Sequence, residues 1–241
     1  YHMIDRIMVR IFSLVVFLCS YSDINAQENI LVRKADSLFN RQKFTEALEV
    51  YNQLYASGLT SSAILLKMAF IEDASGNYAD ALYYMDKYYL RTADRSVIGK
   101  IEEVAGANDL SGYQYDDISY FGALLSKYKL WVIAFLALLM LSLTVYIYEK
   151  KQEDQKPISA FVLQIMVGIF FLFVANFKTT TQGIIVSNQT LLRTGPSAGA
   201  EPLELIRKGH KVEVLSNDKI WSKIRWDGEE VYIRSGRLKT I

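Results

Sequence analysis

Two uncharged apolar runs stand close together in the second half of the chain, and they constrain everything around them. Leu130 to Tyr148 reads LWVIAFLALLMLSLTVYIY, and Ile158 to Phe177 is a second run of 20 residues without a charge. As a helix, the first run covers roughly 28 Å, close to the hydrocarbon thickness of a bilayer. Trp131, Tyr146 and Tyr148 stand near its ends, where interfacial aromatics belong. The reading is a two-helix transmembrane hairpin: helix 1 at 129–148, a polar turn at 149–157, helix 2 at 158–177. In a chain of 241 residues this leaves room for one or two modest domains outside the membrane.

Composition narrows the function classes. Hydrophobic residues make up 51% of the chain, which suits membrane segments. Lys and Arg number 27 against 26 Asp and Glu, a net charge of +1, which argues against a nucleic-acid binder held by charge. One cysteine and two histidines exclude disulfide scaffolds, cysteine-rich zinc sites and CxxC redox chemistry. There is no glycine-rich phosphate loop, no HExxH and no GxSxG elbow. Glu72-Asp73 and Asp116-Asp117 are paired carboxylates that fit solvated helix ends better than an acid/base site. No enzyme, cofactor or metal is expected.

Residues 1–26 read as an export signal. Arg6 and Arg10 precede the apolar run Ile11 to Cys19, and a polar stretch ends at Ala26. The lysines of the hairpin (Lys150, Lys151, Lys156) and of the outer ends (Lys127, Lys129, Lys178) balance, so charge leaves orientation undecided. The export signal decides it: the hairpin is cytoplasmic, and both flanking domains share the outer side. Within the membrane, Gln164 needs a partner. Ser142 lies at similar depth and is the expected one, with Gly168 allowing close helix contact.

Residues 27–128 form a helical domain that repeats with a period of 34, with units near 28–61 and 62–95. Leu31 matches Leu65, Ala35 matches Ala69, Phe44 matches Tyr78 and Ala47 matches Ala81. This pattern resembles the tetratricopeptide (TPR) repeat, in which small residues permit helix crossing and helix pairs stack into a solenoid. Further helices over 94–106 and 116–128, begun by Asp94 and Asp116 and separated at Leu110-Ser111-Gly112, complete the stack. Tyr51 and Tyr88 occupy core-type positions. Tyr55, Tyr84 and Tyr89 are candidates for a peptide-binding concave face, with packing between repeats as the alternative. Residues 27–127 hold 10 basic and 14 acidic side chains.

From 182 to 241 the pattern becomes five or six short alternating strands, with an Asp227-Gly228 hairpin turn, and reads as a small β barrel. Arg193 with Gly195-Pro196-Ser197, then Gly209-His210-Lys211-Val212-Glu213-Val214, then Trp221-Ser222-Lys223-Ile224 resemble the bacterial SH3 (SH3b) domain. Two departures stand out: Glu230-Val231-Tyr232-Ile233 replaces the usual Gly-Trp-Val/Ile, and Leu191 stands where the family often has Asn. The resemblance therefore implies the fold and not a ligand. Trp221, Trp226 and Tyr232 are candidate ligand aromatics, with packing as the alternative, and His210 reads as a surface strand residue. With 10 basic and 7 acidic residues, this domain suits docking on the acidic helical one.

The whole order of parts (multi-domain α plus β, with signal, TPR solenoid, membrane hairpin and SH3-like barrel) resembles the BatE-type proteins of the Bacteroides aerotolerance (Bat) operon. That resemblance implies a two-pass inner-membrane protein with periplasmic domains. It implies von Willebrand A-domain Bat proteins and, indirectly, a MoxR-type ATPase as partners, besides membrane lipid. A different reading is a cell-envelope module whose barrel binds peptidoglycan or a wall peptide.

Overall fold

The computed structural model describes residues 26–153 and 155–241. The export-signal reading rests on residues that fall almost wholly outside them. The chain divides into two units, one running to Thr60 and the other from Ser61 to Ile241.

The first unit holds α1 (Ala26–Asn40) and α2 (Phe44–Ala56). Ala35 and Ala47, the small residues of the repeat pattern, are fully buried, as close helix contact requires. Tyr51 is buried as well and donates its hydroxyl to Asp36 Oδ1 at 2.6 Å.

The second unit opens with another pair, α3 (Ser62–Ala74) and α4 (Tyr78–Thr92). Ala69 and Ala81 are again buried. Ser61 caps α3 by accepting from Ile64 N. Glu72 is buried rather than solvated: it accepts from Asn77 Nδ2 at 2.8 Å and closes the turn between the two helices. Burial raises its carboxyl above the usual range, against the Asn77 bond. Tyr88 is half-buried, not core, and donates to Asp94 Oδ2 at 2.9 Å. A short 3-10 turn (Arg95–Val97) leads into α5 (Ile98–Ala107). Asp94 and Asp116 do cap the segments that follow them, accepting from Ser96 N and Ser119 N.

The expected helix at 116–128 and the first apolar run are one object. α6 runs unbroken from Asp117 to Gln152, 36 residues or roughly 54 Å. Its first turns pack on the helical layer: Asp117 pairs with Arg95 at 2.7 Å, and Lys127 donates to Thr92 O at 2.8 Å. No proline lies between Asp117 and Gln152, and the one glycine, Gly122, stands before the apolar run, so nothing interrupts the rod at the point where it becomes apolar. α7 follows at Ile158–Asn176. Both helices are long and apolar enough to cross a membrane, and little of either is buried.

α6 and α7 run antiparallel, since Met140 meets Gly168 while Thr144 meets Gln164. Gln164 bonds across the hairpin as its chemistry demands, but to Thr144 Oγ1 at 2.8 Å and not to Ser142. Depth alone misplaces the partner. Two residues along a helix turn the side chain through about 200°, so Ser142 and Thr144 lie on nearly opposite faces. Thr144 continues the Leu136–Met140 stripe that faces α7, at four-residue spacing. Gly168 is not required for the approach, since a Cβ there would sit 3.7 Å from Met140 Cε, an ordinary contact.

Five residues after α7 the chain enters a seven-stranded antiparallel sheet: β1 (Gln182–Ile185), β2 (Thr190–Arg193), β3 (Pro202–Ile206), β4 (Lys211–Asn217), β5 (Trp221–Trp226), β6 (Glu229–Arg234) and β7 (Leu238–Thr240). The order is β3-β2-β6-β5-β4-β1-β7. Ile185, Leu192, Ile206, Val212, Val214, Ile224, Val231 and Ile233 form one core cluster. Residues from six strands reach a single core only if the sheet curls around it. Closure stops short of a full barrel: β3 and β7 end the order, and no pairing joins them among the described residues. Asp227 and Gly228, both at positive φ, turn β5 into β6, as a two-residue hairpin of the primed type needs.

In a double-mutant cycle on the full chain in micelles, Gln164→Leu and Thr144→Val couple by about 1 kcal/mol. Gln164→Leu and Ser142→Ala add without coupling. The reverse pattern contradicts the observed pairing.

Candidate functional site

The site begins where the sheet meets α4. Alternation along β4 sends Val212 and Val214 into the core and Lys211 to the outer face, yet Lys211 is buried. Its ammonium lies 2.9 Å from Asp86 Oδ1 on α4, with side-chain exposures of 6% and 1%. Charged groups so enclosed require a partner, because the protein interior solvates an isolated ion poorly. Tyr115 completes the cluster: its hydroxyl donates to Asp86 Oδ1 and accepts from Lys211 Nζ at 3.2 Å. The ammonium also lies 4.5 Å from the Tyr115 ring centroid. Burial, then the Asp86 charge, pushes the Tyr115 and Tyr113 hydroxyls far above their usual range, so both remain donors. Among the described residues, Asp86 Oδ2 and the Tyr89 hydroxyl have no hydrogen-bond partner.

Backbone contacts extend this seam. Lys211 N donates to Ser111 O at 3.1 Å, Ser111 N donates to His210 Nδ1 at 3.1 Å, and Tyr113 Oη donates to Gly209 O at 2.6 Å. Two glycines permit the approach. A Cβ on Gly112 would stand 2.0 Å from the Lys211 carbonyl oxygen, and one on Gly209 would stand 2.8 Å from Tyr78 Cε2 and Leu110 Cδ1. Both have positive φ. Lys239 adds a second ion pair to α4 at 2.5 Å from Asp80 Oδ1. The expected docking of the basic C-terminal domain on the helical one is present within the second unit, through Lys211 and Lys239 on Asp86 and Asp80 of α4. Beside the seam, Tyr89, Tyr115, Lys211, Phe177 and Thr179 line a cavity of about 270 Å³.

The candidate aromatics scatter. Tyr84 is buried, with its ring edge-on to Tyr83 at 5.2 Å, and Tyr89 is buried edge-on to Tyr115 at 5.1 Å. Both are packing residues rather than parts of an open binding face, because helical spacing turns them inward. Tyr55, in the first unit, is half-buried. Trp226 follows Ser222 and Ile224 on the inner side of β5, packs on the sheet core, and donates Nε1 to Glu204 at 3.0 Å. It also meets the His210 ring edge-on at 5.1 Å. His210 is accordingly buried at the seam and is not a surface residue.

Trp221 and Tyr232 do face outward together. Trp221 lies opposite Arg234, and Tyr232 opposite Lys223, across the β5–β6 ladder. Each cation sits near its partner's ring, Arg234 at 5.5 Å and Lys223 at 6.0 Å from the centroid. Arg193 on β2 is opposite Tyr232. Trp221, Arg193, Arg234 and Arg237 line a cleft of about 240 Å³. Reading by aromatic residues alone found Trp221 and Tyr232 but missed the arginines, which β2, β6 and the turn before β7 bring to the same cleft. Among the described residues no three His, Cys, Asp or Glu side chains gather as a metal site.

The seam carries a pH response. His210 accepts from Ser111 N and so must be neutral at Nδ1. Burial, reinforced by Arg207, holds its pKa below the ordinary imidazole value; Glu204 and Asp227 oppose this more weakly. The unfolded chain takes up a proton that the folded one refuses. This part of the stability is therefore complete above about pH 6.5 and is lost as pH falls toward the lower folded value. Between about pH 7.5 and 5.5 the thermal midpoint of the full chain in detergent is expected to fall, and less so in His210→Gln. An equal fall in both proteins contradicts this role.

Against known proteins, no curated sequence matches the chain. The family model of the bacterial SH3 domain matches residues 190–239, from β2 through β7 and without β1. The part of the curled sheet that carries Trp221 and Lys211 thus matches the bacterial SH3 domain.

Proposed function

We propose that the chain is a membrane-anchored interaction scaffold of the bacterial envelope. Its helical layer, with TPR-type repeats near 28–61 and 62–95, and its SH3 domain act together in the periplasm. The apolar hairpin crosses the inner membrane with its turn in the cytoplasm. The observation that carries this reading is the seam. An interaction domain is fused to a helical layer by a buried ion pair and two glycine contacts, and the rod α6 continues from that layer into the apolar hairpin. Such a build serves to hold surfaces at a set place above a bilayer.

The resemblance in domain order to BatE-type proteins supports a finer statement. The scaffold works in an aerotolerance and envelope-stress assembly, with von Willebrand A-domain membrane proteins and, through them, a MoxR-type ATPase. One observation favours a second reading, an envelope-binding module: Trp221 lines an open cleft in the part of the chain that matches the bacterial SH3 domain.

A native pull-down of the tagged full chain in mild detergent, read by mass spectrometry, separates the two. The scaffold reading expects von Willebrand A-domain membrane proteins and a MoxR-type ATPase in the eluate. Recovery of the chain alone, with sedimentation of the protein on purified sacculi that is lost in Trp221→Ala, overturns it for the envelope-binding reading.

A further inference from the structure

Seven of the ten cations in residues 182–241 fall into two groups. Lys211, Lys239, Lys223 and Arg225 each pair with a carboxylate: Asp86, Asp80, Glu230 and Glu213. Arg193, Arg234 and Arg237 pair with none among the described residues, yet they line one cleft with Trp221. Their positions are set without acids. Arg193 Nη1 donates to Ala200 O at 2.7 Å, and Arg237 Nη1 donates to Gln189 O at 2.7 Å and to Ser187 Oγ. Arg234 packs on the Trp221 ring. A guanidinium carries five N–H donors in a planar fork, so each retains donors directed to a ligand. Three like charges gathered without counter-charge raise the local potential and favour an anion.

The neighbouring surface defines what kind of anion. A second cavity, about 630 Å³, shares Gln189 and Arg237 with the first and adds Arg207 and Leu205. Leu205 is 55% exposed. The two cavities form a continuous track in which cations alternate with apolar surface: Arg193 and Arg234 beside Trp221, then Arg237, then Leu205 with Arg207. A single small anion would use one fork of this track. An extended chain uses all of it, with carboxylates on the guanidinium forks and apolar side chains on the indole and on Leu205.

We propose that this track binds an acidic segment of a partner protein, in which Asp or Glu alternates with apolar residues. The proposal deepens the scaffold reading and rests on it, since it says which surface of the scaffold takes hold of a partner and by what chemistry. The seam with α4 lies on Lys211 and Gly209, which do not line the track, so docking leaves the track open.

The test is fluorescence anisotropy of a labelled short peptide alternating glutamate and leucine, titrated with the purified full chain in detergent. The acidic peptide is expected to bind, more weakly as salt rises, while its lysine counterpart does not. Arg234→Gln and Arg237→Gln are each expected to weaken binding about tenfold. Arg225→Gln, which removes a cation already paired with Glu213, leaves it unchanged. Arg237 also holds the backbone at Gln189, so Arg234→Gln, which breaks no backbone bond, decides the matter if the other variant unfolds. Equal binding of the lysine peptide, or acidic-peptide binding indifferent to Arg234→Gln, overturns the proposal. Displacement of the acidic peptide by soluble wall muropeptides at lower concentration than by unlabelled peptide overturns it in favour of a wall ligand. Arginine-dependent binding supports the site even where the pull-down returns no partner, in which case only the named assembly falls.

Discussion

The buried contact between Lys211 and Asp86 is the interaction on which the second unit depends. An ammonium and a carboxylate this deeply enclosed are costly to bring out of water, and the cost is offset only while each has the other. Removing one partner from such a pair costs about 3–5 kcal/mol in general, because the remaining charge stays enclosed and alone. Tyr115 on the shared Asp86 oxygen makes the arrangement directional as well as attractive. The glycines at 112 and 209 then let backbone approach backbone around it. A substitution at any of these points acts on the seating of the whole SH3 domain and not on one side chain.

Seating the domain has consequences for what it presents. α6 runs without a break from its first turns against the helical layer into the apolar run, and the sheet hangs from α7 by five residues, Phe177 to Thr181. Both connections to the apolar hairpin are therefore short or stiff. With Lys211 and Lys239 held on α4, the opposite elements of the sheet, β2 and β6 with Arg193, Arg234 and Trp221, are left outward. Anchor, seam and binding face form a mechanical sequence. The rod sets the position of the helical layer, and the seam sets that of the face.

Much of this was legible in the residues. The apolar runs announced their helices through length alone, and α7 begins at Ile158 as read. Alternation located six of the seven strands, and the Asp227-Gly228 signal located the turn between β5 and β6. What stayed hidden has a common cause: the outer face of a strand looks the same in sequence whether water or a helix covers it. Lys211 occupies such a position, and only the fold shows that α4 lies over it; His210, just before the strand, is covered by the linker after α5. The tyrosines carried the converse ambiguity. Tyr84 and Tyr89 carry a polar end that suits either a surface or a core, and helical phase turned them inward. Gln164 was correctly read as needing a partner across the hairpin, but depth without helical phase chose Ser142 over Thr144. The arginine face escaped because its members come from β2, β6 and the turn before β7, separated in sequence and joined only by strand pairing.

The most direct measurement is the distance between spin labels at Glu102 on α5 and Lys219 in the β4–β5 turn, both exposed, in the full chain in lipid nanodiscs with Cys19 replaced by Ser. The account predicts one narrow distance distribution, insensitive to salt because the pair that sets it is buried. It predicts a broad distribution once Asp86→Ala leaves Lys211 without its carboxylate. A broad distribution in the parent chain, or a narrow one that survives Asp86→Ala, would contradict the claim that this ion pair fixes the SH3 domain on the helical layer.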